Sequence, residues 1–284
     1  MAKQILRLNE IIKNLEQNSE GIYSQEFSNN SQEKEIAMRT AIADIDYNDY
    51  LFEISRNHSI PVMDREVSLA LNNVPKNSII LDLGGCWGWH WRNIKRQRPD
   101  VKVVIVDLVH QNFIHAKKLL GDLINDQIIL VHGDATKLPF NKNTFDLVWT
   151  VQTFQHIPDF KLAVKESHRV LISNGGKFIN YSLNRTSLIE YLYKILNKKY
   201  HIKGEMDSFY LERASEDQKE LIKNIFGAKV CSRFTEILFK PELKFYHSGK
   251  MNSILGVIDS WLSGSFFILG WFARQQSFMV GKND

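Results

Sequence analysis

Cysteine is nearly absent. Cys86 and Cys231 are the only two in 284 residues, and their separation supports neither a disulfide framework nor a thiolate metal site. Internal repeats and low-complexity tracts are missing as well. The dense basic stripe of a nucleic-acid binder is also lacking, so no nucleic-acid partner is expected. A net charge of +4 and a pI near 8.9 permit anionic partners without requiring them. The opening MAKQILRLNEIIKNLEQ has no continuous apolar core of the signal-peptide kind. Leu8, Ile11, Ile12 and Leu15 recur there at helical spacing instead, which predicts an amphipathic helix and makes a cytoplasmic location the expectation.

What is present suits a globular chain with a full core: 44% of residues are hydrophobic and 24% charged. After a polar connection over 18–35, helical patterns cover 37–54 and 62–72. Short apolar runs then alternate with helical patterns. The runs are 78–83, 101–108, 127–131, 145–150 and 176–181; the helices between them are 89–97, 113–123 and 160–171. Such alternation is the mark of a parallel sheet covered on both faces, whose ligands bind at the C-terminal strand edge. Amphipathic helices follow over 188–200 and 215–226, the second with Ser215 as N-cap and Gly227 at its end. Two last strands are expected in 230–239 and 275–280, with 240–271 inserted between them.

The stretch 254–272, ILGVIDSWLSGSFFILGWF, is apolar enough to raise the question of a membrane. Asp259, three serines and three glycines interrupt it. Its first reading is a helix, a turn and the approach to a core strand; a peripheral membrane contact is the second, and a span the third.

The chemistry concentrates in Leu81-Asp82-Leu83-Gly84-Gly85-Cys86-Trp87-Gly88. Glycines at a strand end let the backbone turn sharply and approach a ligand, with a helix N-terminus just beyond. Gly84, Gly85 and Gly88 do not fit the G-x-G-x-x-G of dinucleotide folds. Asp82, two residues before the first glycine, suits a cationic ligand in place of a pyrophosphate.

This segment resembles motif I, D-x-G-x-G-x-G, of the class I S-adenosylmethionine-dependent methyltransferases, with Cys86 at the middle glycine. Further matches follow in order. Asp107 ends the second strand, Gly133-Asp134-Ala135-Thr136-Lys137-Leu138-Pro139-Phe140 resembles the family's G-D-A-x-x-L-P-F, and Phe145-Asp146-Leu147-Val148 its fourth strand. Residues 166–180 resemble the helix, turn and fifth strand. The resemblance covers about 79–180. It implies an α/β fold, doubly wound and Rossmann-like, with a mostly parallel seven-stranded sheet, an N-terminal helical cap and a C-terminal insertion before the last strand. Residues 1–74 would form the cap and linker and 75–284 the methyltransferase domain, with 185–227 and 240–271 as helical additions on the substrate side.

The resemblance also implies S-adenosyl-L-methionine as cofactor, held by Asp82, Gly84, Gly85, Gly88, Asp107, Leu108, Asp134, Ala135, Thr150 and Gln152. Asp107 would accept from both ribose hydroxyls and Asp134 from the adenine amino group. Asp146 is read as a structural acid outside the site. In the loop after the fourth strand, His156 is the candidate general base, with a loop anchor as its plainer role. Trp87, Trp89 and Trp91 cannot share one helical face, so at least one should pack near the pocket. His90, His58, Arg65 and Tyr23 are weaker candidates for its walls. Arg92, Lys95, Arg96 and Arg98 read as a solvated helix face.

The acceptor is expected to be a small molecule, because no N-P-P-[YF] or D-P-P-Y tetrad follows the fourth strand. Tyr191, Tyr193, Phe209, Tyr210, Phe245 and Tyr246 are expected near it, which suits a sugar, polyketide, phenol or lipid-linked metabolite. An NAD-dependent reductase or epimerase would need a Tyr-x-x-x-Lys pair that the sequence lacks after the fifth strand. A non-catalytic S-adenosylmethionine-binding protein stays open through Cys86.

Overall fold

The computed structural model describes residues 2–24, 33, 36–37, 40–41, 46–185, 187–197, 216–240 and 249–283. Its strands are β1 (Glu16–Gln17), β2 (Tyr23–Ser24), β3 (Ile79–Leu83), β4 (Lys102–Asp107), β5 (Ile128–His132), β6 (Leu147–Val151), β7 (Lys177–Asn184), β8 (Cys231–Thr235) and β9 (Gln275–Gly281). The helices that matter below are α1 (Ala2–Ile12), α2 (Tyr47–Asn57), α3 (Ile60–Asn72), α4 (Ile94–Gln97), α5 (His110–Leu120), α6 (Phe160–Val170), α7 (Leu188–Ile195), α8 (Glu216–Phe226), α9 (Gly249–Leu262) and α10 (Phe267–Gly270).

The sheet order is β1-β2-β5-β4-β3-β6-β7-β9-β8, and the strands from β5 to β7 run parallel. β9 is antiparallel to both of its neighbours. The chain leaves β3 toward β4 and β5, then returns on the other side as β6. That reversal opens a crevice at the C-terminal ends of β3 and β6, where open α/β sheets bind ligands. Alternation along each strand divides the core. Ile79, Leu81, Val104 and Val106 pack on one face with Phe178 and Phe226 from β7 and α8; Ile80, Val103 and Ile105 pack on the other with Val67 and Phe113 from α3 and α5. Each such buried side chain contributes about 1.5–3 kcal/mol.

The strand count is nine, not the expected seven. Within the polar stretch, Ile22 is buried and Tyr23–Ser24 pair in parallel with Val131–His132, so the small apolar island there extends the sheet edge. Tyr23 is therefore a sheet residue and does not close over the site. α1 lies at the opposite edge from the crevice: Gln4 donates to the carbonyls of Ser78 and Asp100, and Arg7 to Thr144 O and to Asp146 Oδ2 at 2.8 Å. Asp146 also accepts the Ile79 N–H at 2.7 Å, a structural role. The helix expected over 89–97 is a single 3₁₀ turn, Trp89–Trp91, followed by α4. β8 stops at Thr235, because Glu236 takes a left-handed φ of +54°. Ser215 and 198–200 lie outside the described residues.

Candidate functional site

A cavity of about 310 Å³ opens at the crevice, within the usual range for a small-molecule site. The turns after β3, β4, β5 and β6 meet there, and residues of α2, α3 and β7 close it. From the predicted set, Gly84, Gly85, Asp107, Leu108, Asp134, Ala135, Gln152 and His156 line it together.

Three of the set stand behind this wall. Alternation in β3 puts Asp82 on the side of Ile80, where Trp91 Nε1 donates to its Oδ2 at 2.7 Å. Gly88 packs on the core, since a Cβ there would lie 2.7 Å from Leu120. Thr150 is fully buried in β6, its hydroxyl without a protein partner.

The turn after β3 is held by the acid that ends β4. Asp107 Oδ2 accepts the Cys86 N–H at 2.9 Å, while Oδ1 accepts from Val109 N (2.8 Å) and Asn112 Nδ2 (3.0 Å). Burial pushes the Asp107 carboxyl up, and these three donors pull it back. One acceptor position of Oδ2 stays open. Asn112 in turn accepts from Trp87 Nε1 at 3.3 Å, and Trp87 stacks with both Tyr47 (5.6 Å) and His115 (3.9 Å), which lie 6.5 Å from each other. The aromatic layer thus ties α2 to the cavity floor. Asp134 makes a local turn, Oδ1 accepting from Thr136 N and Oγ1 at 2.7 and 2.8 Å, while still lining the cavity.

Backbone strain gathers here. Apart from five asparagines, the non-glycine residues with left-handed φ among the described residues are Cys86 (51°), Gln152 (53°), Ser182 (64°) and Glu236 (54°). The first three line the cavity, and the fourth braces its rim. Such conformations cost on the order of 1–3 kcal/mol each and persist where the surroundings over-determine them. Gly84, at +69°, has no room for a Cβ: one would lie 2.3 Å from the Thr153 side chain.

The end of the cavity away from Asp107 is built by His58, Met63, His90, Gln152, His156 and Ser182. His90 lies against Trp149 and Tyr181 at 5.9 and 6.1 Å between ring centroids. Burial first, then Arg92 and His58, lower its pKa to about 3, so the imidazole is neutral at physiological pH. Its Nε2 is buried with no protein partner, as are Trp89 Nε1 and Tyr181 Oη. Glu236, fully buried, accepts Ser59 N–H at 2.9 Å, pairs with Arg274 at 2.5 Å and stands 3.6 Å from His58.

The remaining expectations resolve differently. Arg92 and Arg98 are not simply solvated: they pair with Asp64 (2.6 Å) and Asp100 (2.8 Å). Arg65 stacks over Trp261 at 4.3 Å, outside the cavity. Tyr191 is exposed, neither it nor Tyr193 lines the cavity, and Phe209, Tyr210, Phe245 and Tyr246 lie outside the described residues. Sequence reasoning missed Asn112 and Ser182, whose neighbours carry no motif and whose importance comes from folding alone.

Residues 81–179 match the family model described as "Methyltransferase domain". This stretch, about a third of the chain, is similar to a methyltransferase domain. A demethylmenaquinone methyltransferase of Oceanobacillus iheyensis is 33% identical over 32% of this chain and 37% of its own. A sterol 4-C-methyltransferase of Caenorhabditis elegans is 39% identical over 22% and 19%. The chain therefore spans well under half the length of these relatives. A possible histamine N-methyltransferase of Thermotoga maritima, 16% identical, covers 84% of this chain and 95% of its own with a TM-score of 0.54, a likeness of fold.

S-adenosyl-L-methionine is the cofactor that the sequence resemblance implies, and the residues present fit it. Asp82 Oδ1 is a buried acceptor with no protein partner, suited to an ammonium group. Gly85, like Gly84, has no room for a Cβ, which would lie 2.4 Å from Asp82 Oδ2, so the turn packs its bare backbone against this acid.

Proposed function

We propose that the protein transfers a methyl group from S-adenosylmethionine to a small-molecule acceptor held at the His58–His90–His156 end of the cavity. The observation that carries this reading is the convergence of Asp107, the Gly84–Cys86 turn and Asp134 on one cavity whose far end presents unpartnered polar atoms. In this reading the open lone pair of Asp107 Oδ2 takes a ribose hydroxyl, Asp134 and Ala135 hold the adenine, and Asp82 balances the cationic amino-acid end. Residues 1–74 are the cap and linker and 75–284 the methyltransferase domain, with 185–227 and 240–271 as additions on the acceptor side.

When bound, the cofactor supplies an electrophilic methyl group on a sulfonium that departs as a neutral thioether. The chain's task is then to orient the acceptor lone pair along the S–CH₃ axis and to exclude water. For an O–H or N–H acceptor, His156 takes the proton. Neutral His90 and the Gln152 amide, 3.4 Å from Ser182 Oγ, orient the acceptor by hydrogen bonding.

Calorimetry with S-adenosylhomocysteine and NADH tests the cofactor half; binding of NADH and not of the sulfur compound would overturn it. A labelled-methyl screen over nucleotide sugars, phenols, polyketides and lipid extracts tests the acceptor. His156→Ala should lose turnover with cofactor affinity preserved, and full activity would leave His156 a loop anchor.

A further inference from the structure

Helix α9 is built inside out. Its buried side carries polar groups: Asp259 is fully buried and accepts the N–H groups of Ile237 and Phe239 at 2.8 and 3.0 Å, and Ser260 and Ser263 are buried beside it. Its outward side carries Ile254, Val257, Ile258 and Trp261, at i, i+3, i+4 and i+7, which is one continuous stripe. Trp261 is 71% exposed. A soluble surface helix presents the reverse arrangement.

The stripe does not end with the helix. Phe266, Phe267 and Ile268, at the turn into α10, are 78%, 67% and 76% exposed, and Trp271 and Phe272 follow. α7 joins them, because Leu188 N–H donates to Trp271 O at 2.7 Å, and its Tyr191, Leu192 and Ile195 are exposed too. Among the described residues, α9 and the turn after it thus expose a continuous run of large apolar side chains, with more on the neighbouring α7, beyond the scattered apolar residues that any protein shows.

We propose that this surface docks on an anionic lipid bilayer, with the Phe266–Ile268 turn inserted to the level of the acyl boundary. Its charge fits that partner. Asp259 is the only acid in 254–272, and it is buried, so that stretch exposes no negative charge. The Arg65 guanidinium lies on the exposed Trp261 ring at 4.3 Å. Cations beside tryptophan and phenylalanine are the composition of an interfacial anchor. No helix among the described residues is long and apolar enough to cross a membrane, so the contact is peripheral. Docking needs neither cofactor nor acceptor and stands apart from the methyl-transfer reading.

The experiment is flotation of the full chain, without cofactor, on phosphatidylcholine–phosphatidylglycerol vesicles and on phosphatidylcholine alone. The protein should float with the anionic vesicles, less so at high salt, and its tryptophan emission should shift to the blue, a shift reduced in Trp261→Phe. The triple variant Phe266→Ser, Phe267→Ser, Ile268→Ser should lose roughly tenfold or more of the partitioning, the burial of three large side chains being removed. A far-UV circular dichroism spectrum and a urea unfolding midpoint like those of the wild type show that this variant is folded. A wild-type protein that stays at the bottom of the gradient overturns the proposal, as does a folded triple variant that floats equally well. A concentration-dependent dimer that the triple variant abolishes, without vesicle binding, assigns the surface to a second copy and overturns it too.

Discussion

Asp107 Oδ2 and the Cys86 backbone N–H are joined at 2.9 Å, so the acid that ends β4 holds the turn that ends β3. Its removal has two consequences at once: a ligand acceptor is lost, and the turn beneath the ligand is released. Asp107→Ala should therefore weaken S-adenosylhomocysteine binding by about 1–3 kcal/mol and lower stability as well, since Cys86, Val109 and Asn112 lose their acceptor. Calorimetry and urea unfolding read the two effects separately; an unchanged affinity would remove Asp107 from the site.

Cys86 holds a φ of +51° where motif I has glycine. A Cβ is disfavoured in that region, and its absence is the ordinary reason for glycine there. Cys86→Gly should leave the turn intact and raise stability by up to about 1 kcal/mol, the relief of strain being offset by greater freedom of the unfolded chain. Gly84→Ala should do the opposite, because the new Cβ at φ +69° meets Thr153. Thermal unfolding of both variants checks the pair; a destabilised Cys86→Gly would mean that the thiol makes a contact worth more than the strain.

Asp82 supplies a pH signature. Burial, only partly offset by the Trp91 hydrogen bond and reinforced by the Asp107 charge, raises its pKa to about 7. A carboxyl whose folded pKa lies above its unfolded value stabilises the fold fully below about pH 4, and loses that contribution as pH rises to about 7. Asp82→Asn removes the ionisation. Its stability relative to wild type should therefore rise from pH 4 to 7 and level off above, gaining about 4 kcal/mol. Urea titrations at pH 5 and pH 8 measure the difference, and equal differences at both would show that Asp82 ionises normally.

The sheet was readable because its signal is local. Uninterrupted apolar runs such as VKVVIVDL and SIILDL mark strands buried on both faces, and the acids at their ends mark the ligand edge. Asp107 and Asp134 reach the cavity for that reason. What stayed hidden depends on contacts distant in sequence. Asp82 obeys strand alternation, yet its partner Trp91 comes from a 3₁₀ turn that reads as ordinary helix. Ser182 turns to a φ of +64° where the β7–β9 register shifts, and nothing local in YSLN announces it. The inverted polarity of α9 was visible only as an apolar stretch interrupted by Asp259 and serines. Which side faces out is decided by the backbone N–H groups of Ile237 and Phe239, 22 and 20 residues away from Asp259.

Glu236 carries the last prediction. Burial opposes its charge, but Arg274, His58 and the Ser59 N–H together hold its pKa near 2. The same carboxylate joins the end of β8 to the start of α3 and stands beside His58 on the cavity wall. Glu236→Gln keeps the shape and removes the charge, leaving Arg274 with a neutral partner in a buried setting. That should cost about 3–5 kcal/mol, the usual penalty for breaking a buried ion pair from one side. Cofactor affinity should change little, because Asp107 and Asp134 are held by other elements, whereas KM for the acceptor should rise as His58 loses its brace. Since the folded pKa is depressed, the wild-type advantage is full above about pH 5 and falls as pH drops toward 2. Acid unfolding of wild type and Glu236→Gln should therefore converge below pH 3; parallel curves would place the acid sensitivity elsewhere.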